Sequence, residues 1–424
     1  MISLGTNPLS RRRFLIKLGQ TLGAIAVGPI FSPDLPARAQ EQSRPLSLKK
    51  TAFIYTDEYV SYDYGGHHPL KPFRLKLTYD LINTYGLLDL PGTQLIKTEK
   101  VSRKEVERIH TPDYLDILEE ADSGVEKREY LPYGLGTGDN PIFPGVYQWS
   151  LLATGGSLQA TRLVERGRAG VAFNIAGGLH HAMKSRASGF CYLNDPAIAI
   201  AQLIDQGYRV AYVDLDVHHG DGVQAAFYDT DQVLTIDLHE SGLFRFPGTG
   251  FETEIGEGKG KGYSVNLPFL AGADDEIFLY GFSEVVPPLL KAYKPDFVVT
   301  QLGVDSFHDD PLATMQLTTN GFSKVVNRIK ELAPRWIALG GGGYNLSNVA
   351  RAWTLAWAIM NDVPLPQELP APALSLLQGV GYREKTLQDP EIRTKAEDRD
   401  KILKALDKSL KYLKDTVFPI VGAS

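Results

Sequence analysis

The chain has 424 residues, of which 44 are Lys or Arg and 50 are Asp or Glu, so its formal net charge is −6. Hydrophobic residues make up 43% and charged residues 22% of the sequence, which excludes a largely disordered chain. The single cysteine, Cys191, excludes both an intramolecular disulfide and a multi-cysteine zinc site. Any transition-metal chemistry would therefore fall to the histidines and the carboxylates.

A basic run and an apolar stretch stand at the amino terminus. Three arginines at 11–13 precede the apolar stretch over 18–31, and an A-x-A sequence follows at 37–39. This order predicts a twin-arginine-type export signal over 1–39 and a linker over 40–50, with a disordered basic terminus as the alternative. We therefore expect an exported protein, periplasmic or extracellular, which would stay cytoplasmic if the leader does not function.

The predicted mature chain is acidic and has no segment suited to crossing a membrane. The apolar stretch near the amino terminus is short and interrupted by Gly and Pro, so we expect no stable membrane span. Residues 1–39 carry five basic residues and one acidic residue, which leaves a net charge of −10 on residues 40–424. Such a chain binds nucleic acid poorly, so we expect no nucleic-acid partner.

Hydrophobic runs alternate with helical patterns along the rest of the chain. Runs typical of strands covered on both faces occur at 169–175, 209–214, 233–236, 297–302 and 336–339. Helical patterns occur at 149–166, 197–205, 222–228, 274–292 and 322–332, and Asn194 is the expected N-cap of the second. The alternation predicts a single-domain α/β fold over 51–370, an open parallel sheet flanked by helices. A C-terminal extension over 371–424 contains an amphipathic helix at 398–415.

Four of the predicted strands end in polar or glycine-rich clusters. Ligands of open α/β sheets bind at the carboxyl ends of the strands, so we expect these clusters to meet. They are Gly177-Gly178-Leu179-His180-His181, Asp214-Leu215-Asp216-Val217-His218-His219-Gly220-Asp221-Gly222, Gly303-Val304-Asp305 and Gly340-Gly341-Gly342-Gly343-Tyr344.

The second cluster predicts metal ligands. Asp214, Asp216 and His218 alternate along an extended chain and therefore project together. Asp305, from another strand, completes with Asp216 and His218 a three-ligand shell that leaves positions open for water and a substrate oxygen. Taken alone, Asp216 and His218 could instead be a capping carboxylate and a structural histidine.

The other clusters predict acid-base and electrophilic groups. His180 and His181 could act as base and acid if carboxylates orient them, and Asp214 and Asp221 are available for this. The alternative is a surface His-His pair. Tyr344 follows four glycines and could donate a hydrogen bond to a carbonyl oxygen. A phosphate-binding loop is the rival interpretation of the glycines, but no Lys-Ser/Thr follows them.

The order of these motifs resembles that of the zinc-dependent histone deacetylases. The resemblance runs from about Tyr55 to Met360 and is nearest to the class I enzymes. Their superfamily also holds acetylpolyamine amidohydrolases and acetoin-utilisation proteins. The resemblance implies the arginase/deacetylase fold and a Zn²⁺ or Fe²⁺ amidohydrolase. Further matching segments are His68 to Arg74, Asp139-Asn140-Pro141, Ser188 to Asp195, Phe246 to Gly250 and Gly258-Lys259-Gly260.

At matching positions the resemblance implies a role for each site residue. It makes Asp216, His218 and Asp305 the metal ligands, His181 the general base and acid, His180 its electrostatic assistant and Tyr344 the carbonyl-polarising phenol. It also implies a narrow substrate tube of Gly189, Phe190 and Phe246, a rim aspartate at Asp139 that binds the substrate backbone, and Arg74 beside the acetate product.

The resemblance further implies K⁺ or Na⁺ at two sites. The first would use Asp214, Asp216, His218, Asp237 and Leu238, and the second Phe227, Thr230, Val233 and Tyr263. The class I pattern has a serine where this chain has Asp237, so the first site departs from that pattern.

The expected substrate is an acyl-lysine in a protein or peptide. Phe190 and Phe246 suit an extended aliphatic amine, although Phe190 alone could be a core aromatic residue. Leu312 falls where polyamine-selective relatives place an acidic residue, and a leucine cannot pair with a distant ammonium group. The alternatives are an acetylpolyamine or other small-molecule amidohydrolase, an arginase-like dimanganese ureohydrolase, and a non-enzymatic binder of acylated amines.

Overall fold

Residues 50–424 are described by a computed structural model of the chain. They form one sheet of eight strands in which every pair of neighbours is parallel. The strands are β1 (Thr51–Tyr55), β2 (Thr93–Lys97), β3 (Val171–Asn174), β4 (Val210–Asp214), β5 (Val233–Glu240), β6 (Ser264–Phe269), β7 (Phe297–Gln301) and β8 (Trp336–Leu339). Their order across the sheet is β2-β1-β3-β8-β7-β4-β5-β6.

Helices connect the strands and cover both faces of the sheet. They are α1 (Phe73–Thr84), α2 (Arg103–Val106), α3 (Pro112–Glu120), α4 (Val146–Glu165), α5 (Asp195–Ile204), α6 (Asp221–Ala226), α7 (Asp275–Tyr293), α8 (Thr319–Leu332), α9 (Leu346–Met360), α10 (Ala371–Gln378), α11 (Ala396–Thr416) and α12 (Phe418–Val421). Short 3₁₀ turns lie at Asp57–Ser61, Ala121–Ser123, Arg128–Tyr133 and Gly258–Gly260.

The central strands are buried on both faces. Along β4, Ala211 and Val213 belong to one hydrophobic core, whereas Val210 and Tyr212 belong to the other. Successive side chains of a strand point to opposite faces, so a strand between two helical layers must be apolar at nearly every position. The predicted open parallel α/β sheet is therefore confirmed. Its strands read as hydrophobic runs because both of their faces are buried.

The five predicted strands are present, but three others were not predicted. β2 and β6 are the edges of the sheet, and β1 lies beside β2. At one edge, Leu95 in β2 is 47% exposed, which weakens the hydrophobic signal. At the other edge, β6 contains Pro268, which a strand tolerates where no neighbour needs its missing N–H.

The C-terminal segment packs on the sheet as part of the same compact unit. α11 covers the predicted span 398–415 and contacts β6 and α7. Its buried residues are Ile402, Leu406, Ser409, Leu410 and Leu413, and Leu403 is partly buried beside them. The amphipathic helix is therefore confirmed.

The predicted export signal over 1–39 and the linker over 40–50 lie outside the described residues, except for Lys50. None of the described helices is both long and apolar enough to cross a membrane.

A buried ion pair ties the segment before α11 to the core. The Arg351 guanidinium in α9 lies 2.6 Å from the Asp389 carboxylate, and the two side chains are 1% and 5% exposed. Arg351 also donates to the Leu387 carbonyl and to the Asn348 side chain, and its guanidinium lies 4.4 Å from the Tyr382 ring centroid. Removing one partner would leave the other charge buried without compensation.

We expect Asp389→Ala to lower the free energy of unfolding by about 3–5 kcal/mol, because it leaves the buried Arg351 charge without its partner. The matched control is Glu391→Ala, which removes an ion pair with Arg393 whose side chains are 70% and 57% exposed. That control should lower the free energy of unfolding far less, because solvent screens an exposed pair. Denaturant unfolding of both variants measures the difference, and equal losses would contradict the role of the buried pair.

Candidate active site

Four neighbouring strands deliver the predicted site residues to one edge of the sheet. In the order β3-β8-β7-β4, their carboxyl ends lead into the segments that carry His180 and His181, Tyr344, Asp305, and Asp216 with His218. The chain leaves β3, adds β4, β5 and β6 farther along the sheet, and later fills the gap with β7 and β8. The site therefore lies where the strand order reverses, the usual ligand position in such sheets.

Two buried carboxylates converge on one imidazole nitrogen. Nδ1 of His218 lies 3.1 Å from Oδ1 of Asp216 and 3.1 Å from Oδ2 of Asp305. One ligand atom from each residue falls within 4.8 Å of the other two, and all three residues are buried. This donor set fits a divalent cation, since two buried negative charges need compensation and carboxylate and imidazole ligands suit Zn²⁺.

The remaining carboxylate oxygens are held by the protein. Oδ2 of Asp216 accepts hydrogen bonds from Nε2 of Gln301 at 2.6 Å and from the Gly342 N–H at 2.8 Å. Oδ1 of Asp305 accepts one from the Val217 N–H at 2.9 Å. A Cβ at position 342 would overlap the Asp305 and Asp216 carboxylates, so this close approach requires a glycine at that position.

Each adjacent histidine is oriented by its own carboxylate. Nδ1 of His180 lies 2.7 Å from Asp214, and Nδ1 of His181 lies 2.8 Å from Asp221. Their Nε2 atoms are 3.1 Å apart. Asp195, whose carboxylate accepts from the Gly178 and Leu179 N–H groups at 3.0 and 2.8 Å, fixes the loop that carries both rings. The rings are buried, so this is not a surface histidine pair.

The two imidazoles have opposite pKa shifts. Burial lowers the pKa of His180, but the charges of Asp214 and Asp216 outweigh it and raise the pKa to about 10. Burial and the neighbouring charge of His180 lower the pKa of His181 to about 4, despite its hydrogen bond with Asp221. At neutral pH His181 is therefore uncharged, with Nδ1 directed to Asp221 and the lone pair on Nε2.

Tyr344 presents a protonated phenol to the same site. Burial, followed by the charges of Asp305 and Asp216, raises the pKa of its hydroxyl well above the ordinary value. Its backbone N–H donates to Asp310 at 2.7 Å, and its ring meets Phe190 edge-on with centroids 5.7 Å apart. A phenol that stays protonated can donate a hydrogen bond to a developing oxyanion.

A cavity of about 300 Å³ unites these groups with the predicted tube residues. The ring of Phe246 stands edge-on to His181, with centroids 4.9 Å apart, and is 41% exposed, so the cavity reaches the surface. Phe190 is only partly buried and lies edge-on to His68 as well as Tyr344. The lining consists of Asp139, His181, Gly189, Phe190, His218, Arg245, Phe246, Leu312 and Tyr344.

The other predicted residues lie around this cavity at varying distance. Arg74 is buried and donates to the Gly343 carbonyl at 3.0 Å, but it is not among the described residues lining the small adjacent cavity that touches His180 and Cys191. Both oxygens of Asp237 are engaged, Oδ2 by the Gly220 N–H at 2.7 Å and Oδ1 by Nδ1 of His239 at 2.5 Å.

The residues predicted for the second monovalent-cation site lie near the turns that flank β5. The Phe227 carbonyl accepts from the Thr230 N–H, and the Tyr263 carbonyl accepts from the Thr235 N–H. Val233 begins β5, and Leu238 of the first predicted site is buried in the same strand. The backbone carbonyls of two of the predicted residues, Phe227 and Tyr263, therefore already accept backbone hydrogen bonds.

Sequence reasoning missed several residues that support the site. Gln301 is a polar residue at the end of the buried strand β7, and this position could have indicated a role in the site. Its side chain contacts Asp216. Asp310 holds the Tyr344 backbone, and Tyr212 donates to Asp214 at 2.6 Å. Gln301 and Asp310 are distant in sequence from Asp216 and Tyr344, so spacing did not indicate these two contacts, whereas Tyr212 lies two residues before Asp214 in β4.

Comparison with known proteins gives a family match over most of the chain. A family model described as the histone deacetylase domain matches residues 68–360. The chain belongs to the histone deacetylase family. It is 39% identical over 330 residues to histone deacetylase RPD3 of Saccharomyces cerevisiae, covering 77% of this chain and 75% of the relative. It is 40% identical over 325 residues to histone deacetylase 1 of Homo sapiens, covering 76% and 67% of the two chains.

Solved structures show the same architecture. The crystal structure of a histone deacetylase homologue from Aquifex aeolicus has a TM-score of 0.79 and 38% identity, covering 86% of this chain and all of that one. A structure of a homologue complexed with SAHA gives the same values. The predicted family and fold are confirmed, and the protein is a hydrolase that acts on the amide bond of an acylated amine.

We expect His218→Ala to lose the bound divalent metal, because it removes the only neutral donor of the set formed with Asp216 and Asp305. His67→Ala, which changes an exposed histidine, should keep it. Elemental analysis of the purified proteins measures the metal per chain. Full occupancy in His218→Ala would refute the ligand assignment.

Proposed function

We propose that the protein is a zinc-dependent deacetylase that hydrolyses Nε-acetyl-lysine in proteins or peptides to acetate and a free amine. The observation that carries the proposal is a single cavity lined by His181, His218 and Tyr344. It brings a base, a metal-binding group and a phenol donor to one reacting centre. Among the described residues one such metal-binding cluster is found, whereas a dimanganese ureohydrolase would need ligands for two ions.

When bound by Asp216, His218 and Asp305, a zinc ion would polarise the substrate carbonyl and acidify a water molecule. Nε2 of His181 takes a proton from the water as its oxygen attacks the carbonyl carbon. Asp221, at 2.8 Å from Nδ1, holds the ring in the required tautomer and stabilises the imidazolium that forms. The lowered pKa of His181 leaves its Nε2 unprotonated before the water attacks.

Tyr344 and His181 complete the reaction. The Tyr344 hydroxyl donates to the former carbonyl oxygen as negative charge builds on it in the tetrahedral intermediate. The His181 imidazolium then returns its proton to the amide nitrogen, the carbon–nitrogen bond breaks, and the free amine leaves. His180, held by Asp214, lies directly beside His181, with their Nε2 atoms 3.1 Å apart.

We expect Tyr344→Phe to lower kcat by about a hundredfold or more, because it removes one oxyanion donor without removing a metal ligand. The metal content should stay at the wild-type value. The control is Tyr280→Phe, which removes a hydroxyl bonded to Asp407 on the surface of α7. Steady-state turnover of an acetyl-lysine peptide measures the effect, and wild-type turnover in Tyr344→Phe would remove the phenol from the mechanism.

Leu312 supports a peptide substrate over an acetylated polyamine. It lies in the cavity lining beside Phe246 and Arg245, where a polyamine would need an acidic partner for its distant ammonium group. A leucine offers no such partner, and the one carboxylate among the lining residues is that of Asp139, to which the family resemblance assigns the substrate backbone. The alternative substrate is an acetylpolyamine or another acetylated small amine. A substrate screen in which such an amine is hydrolysed faster than an acetyl-lysine peptide would overturn the preference for a peptide.

We expect Leu312→Glu to raise kcat/KM for acetylspermidine about tenfold relative to an acetyl-lysine peptide, because the new carboxylate can pair with the ammonium. Leu312→Gln has the same length without the charge and should show no such change. Competition assays with both substrates measure the ratio. An equal ratio in the two variants would contradict the assignment of Leu312 to substrate selection.

The identity of the divalent metal, zinc rather than Fe²⁺, stays a prediction. It is tested by the activity of metal-free protein reconstituted with each metal in turn.

The binding of monovalent cations also stays a prediction. We expect weak dependence on K⁺ or Na⁺, because Asp237 is already engaged by Gly220 and His239. Comparing the activity in potassium chloride with that in tetramethylammonium chloride tests this expectation. A large stimulation by potassium would contradict it.

Export by residues 1–39 also stays a prediction, supported by the arginines at 11–13 and the apolar stretch after them. We expect this segment to carry a folded reporter protein out of a bacterial cytoplasm. Replacing Arg11 and Arg12 by lysine should abolish the export while keeping the charge. A reporter retained with the native segment would contradict the prediction.

A further inference from the structure

Two separate segments supply Phe246 and Leu312 to the lining of the cavity. Phe246 follows β5, which ends at Glu240, and Leu312 follows β7, which ends at Gln301. Neither segment belongs to a helix or strand at these positions. The distance between the two side chains therefore depends on contacts between the segments rather than on backbone hydrogen bonds of the sheet.

Glu240 joins the two segments from below the surface. Its side chain is 2% exposed. One carboxylate oxygen accepts from the Thr314 hydroxyl at 2.7 Å, and the other accepts from the Thr314 N–H at 3.1 Å. A buried carboxylate needs such donors, and here they come from the segment that carries Leu312.

Arg245 completes the connection. One guanidinium nitrogen, Nη2, lies 2.9 Å from Glu240 and 3.2 Å from the Thr314 hydroxyl. The other, Nη1, donates to the Leu312 carbonyl at 2.7 Å. The planar fork of an arginine holds both partners at once, which a lysine ammonium does less well. Since Arg245 directly precedes Phe246, the fork links the two lining residues.

The linkage continues to the proposed catalytic phenol. The Leu312 N–H donates to Oδ1 of Asp310 at 3.0 Å, and Oδ2 of the same carboxylate accepts from the Tyr344 N–H at 2.7 Å. A chain of hydrogen bonds therefore runs from Glu240 through Arg245, Leu312 and Asp310 to Tyr344. These contacts lie beside the cavity, and none of them uses a metal-binding group.

We propose that Arg245, held by Glu240, is a specificity-determining positioning residue that fixes Leu312 relative to Phe246 and keeps the mouth of the cavity narrow. The inference rests on the proposed deacetylase function. A narrow mouth admits the unbranched methylene chain of lysine and rejects a linker that contains an aromatic ring. The selected substrate class is thus an acylated amine on a slender alkyl chain.

The test compares two peptides of identical flanking sequence, one with Nε-acetyl-lysine and one with acetylated 4-(aminomethyl)phenylalanine. Arg245→Lys keeps the positive charge but loses the fork. We expect kcat/KM for the lysine peptide to fall about tenfold, through KM more than through kcat. The aromatic peptide should lose much less, so that discrimination between the two peptides drops about fivefold or more.

Two further variants keep the test decisive. Glu240→Gln should lower discrimination in the same direction, because it weakens the hold on Arg245, and it replaces Arg245→Lys if that protein does not fold. Arg335→Lys is the matched control, because this arginine donates to the Asp296 carbonyl and lies 3.7 Å from the Phe297 ring centroid, outside the cavity lining. Its discrimination should equal that of the wild type.

Equal losses for both peptides, or unchanged discrimination, in the Arg245 and Glu240 variants would overturn the inference while leaving the proposed function intact. If the wild-type protein hydrolyses neither peptide, the proposed function fails and the inference fails with it. If only the Arg245 and Glu240 variants lose discrimination between the peptides, the result would support both the proposed function and the inference.

Discussion

The site depends on two buried carboxylates that face one imidazole nitrogen. Asp216 and Asp305 each place an oxygen 3.1 Å from Nδ1 of His218, in the interior, where an uncompensated negative charge is costly. Gln301 and two backbone N–H groups hold the outer oxygens, so the inner ones cannot turn away from the centre. A divalent cation bound by the proposed ligands would compensate this charge, and hydrogen bonds of the fold hold those ligands in place.

The same edge of the sheet gives each proposed catalytic group a different electrostatic role. His180 sits among carboxylates that raise its pKa, whereas burial and the neighbouring His180 lower the pKa of His181. Tyr344 stays protonated because burial and the adjacent carboxylates raise its pKa. Their surroundings thus shift the pKa values of three ordinary side chains in different directions, which would separate their proposed roles.

The sequence predicts the part of this arrangement that is local. Strand-end motifs such as Asp214 to Gly222 place chemistry directly after apolar runs, so the shared edge of a parallel sheet follows from the pattern. The edge strands β2 and β6 were missed because exposure and Pro268 blur their hydrophobicity. The contact from Arg245 to Leu312 joins residues 67 positions apart, and no periodicity in the sequence could indicate it.

The central claim is that one divalent cation bound by Asp216, His218 and Asp305 supports amide hydrolysis. Anomalous diffraction at the zinc absorption edge, from crystals of protein that hydrolyses an acetyl-lysine peptide, tests it most directly. The account predicts one strong peak at bonding distance from all three side chains and beside the Tyr344 hydroxyl. A peak elsewhere in the active protein, or three side chains that point apart with no metal between them, would contradict it.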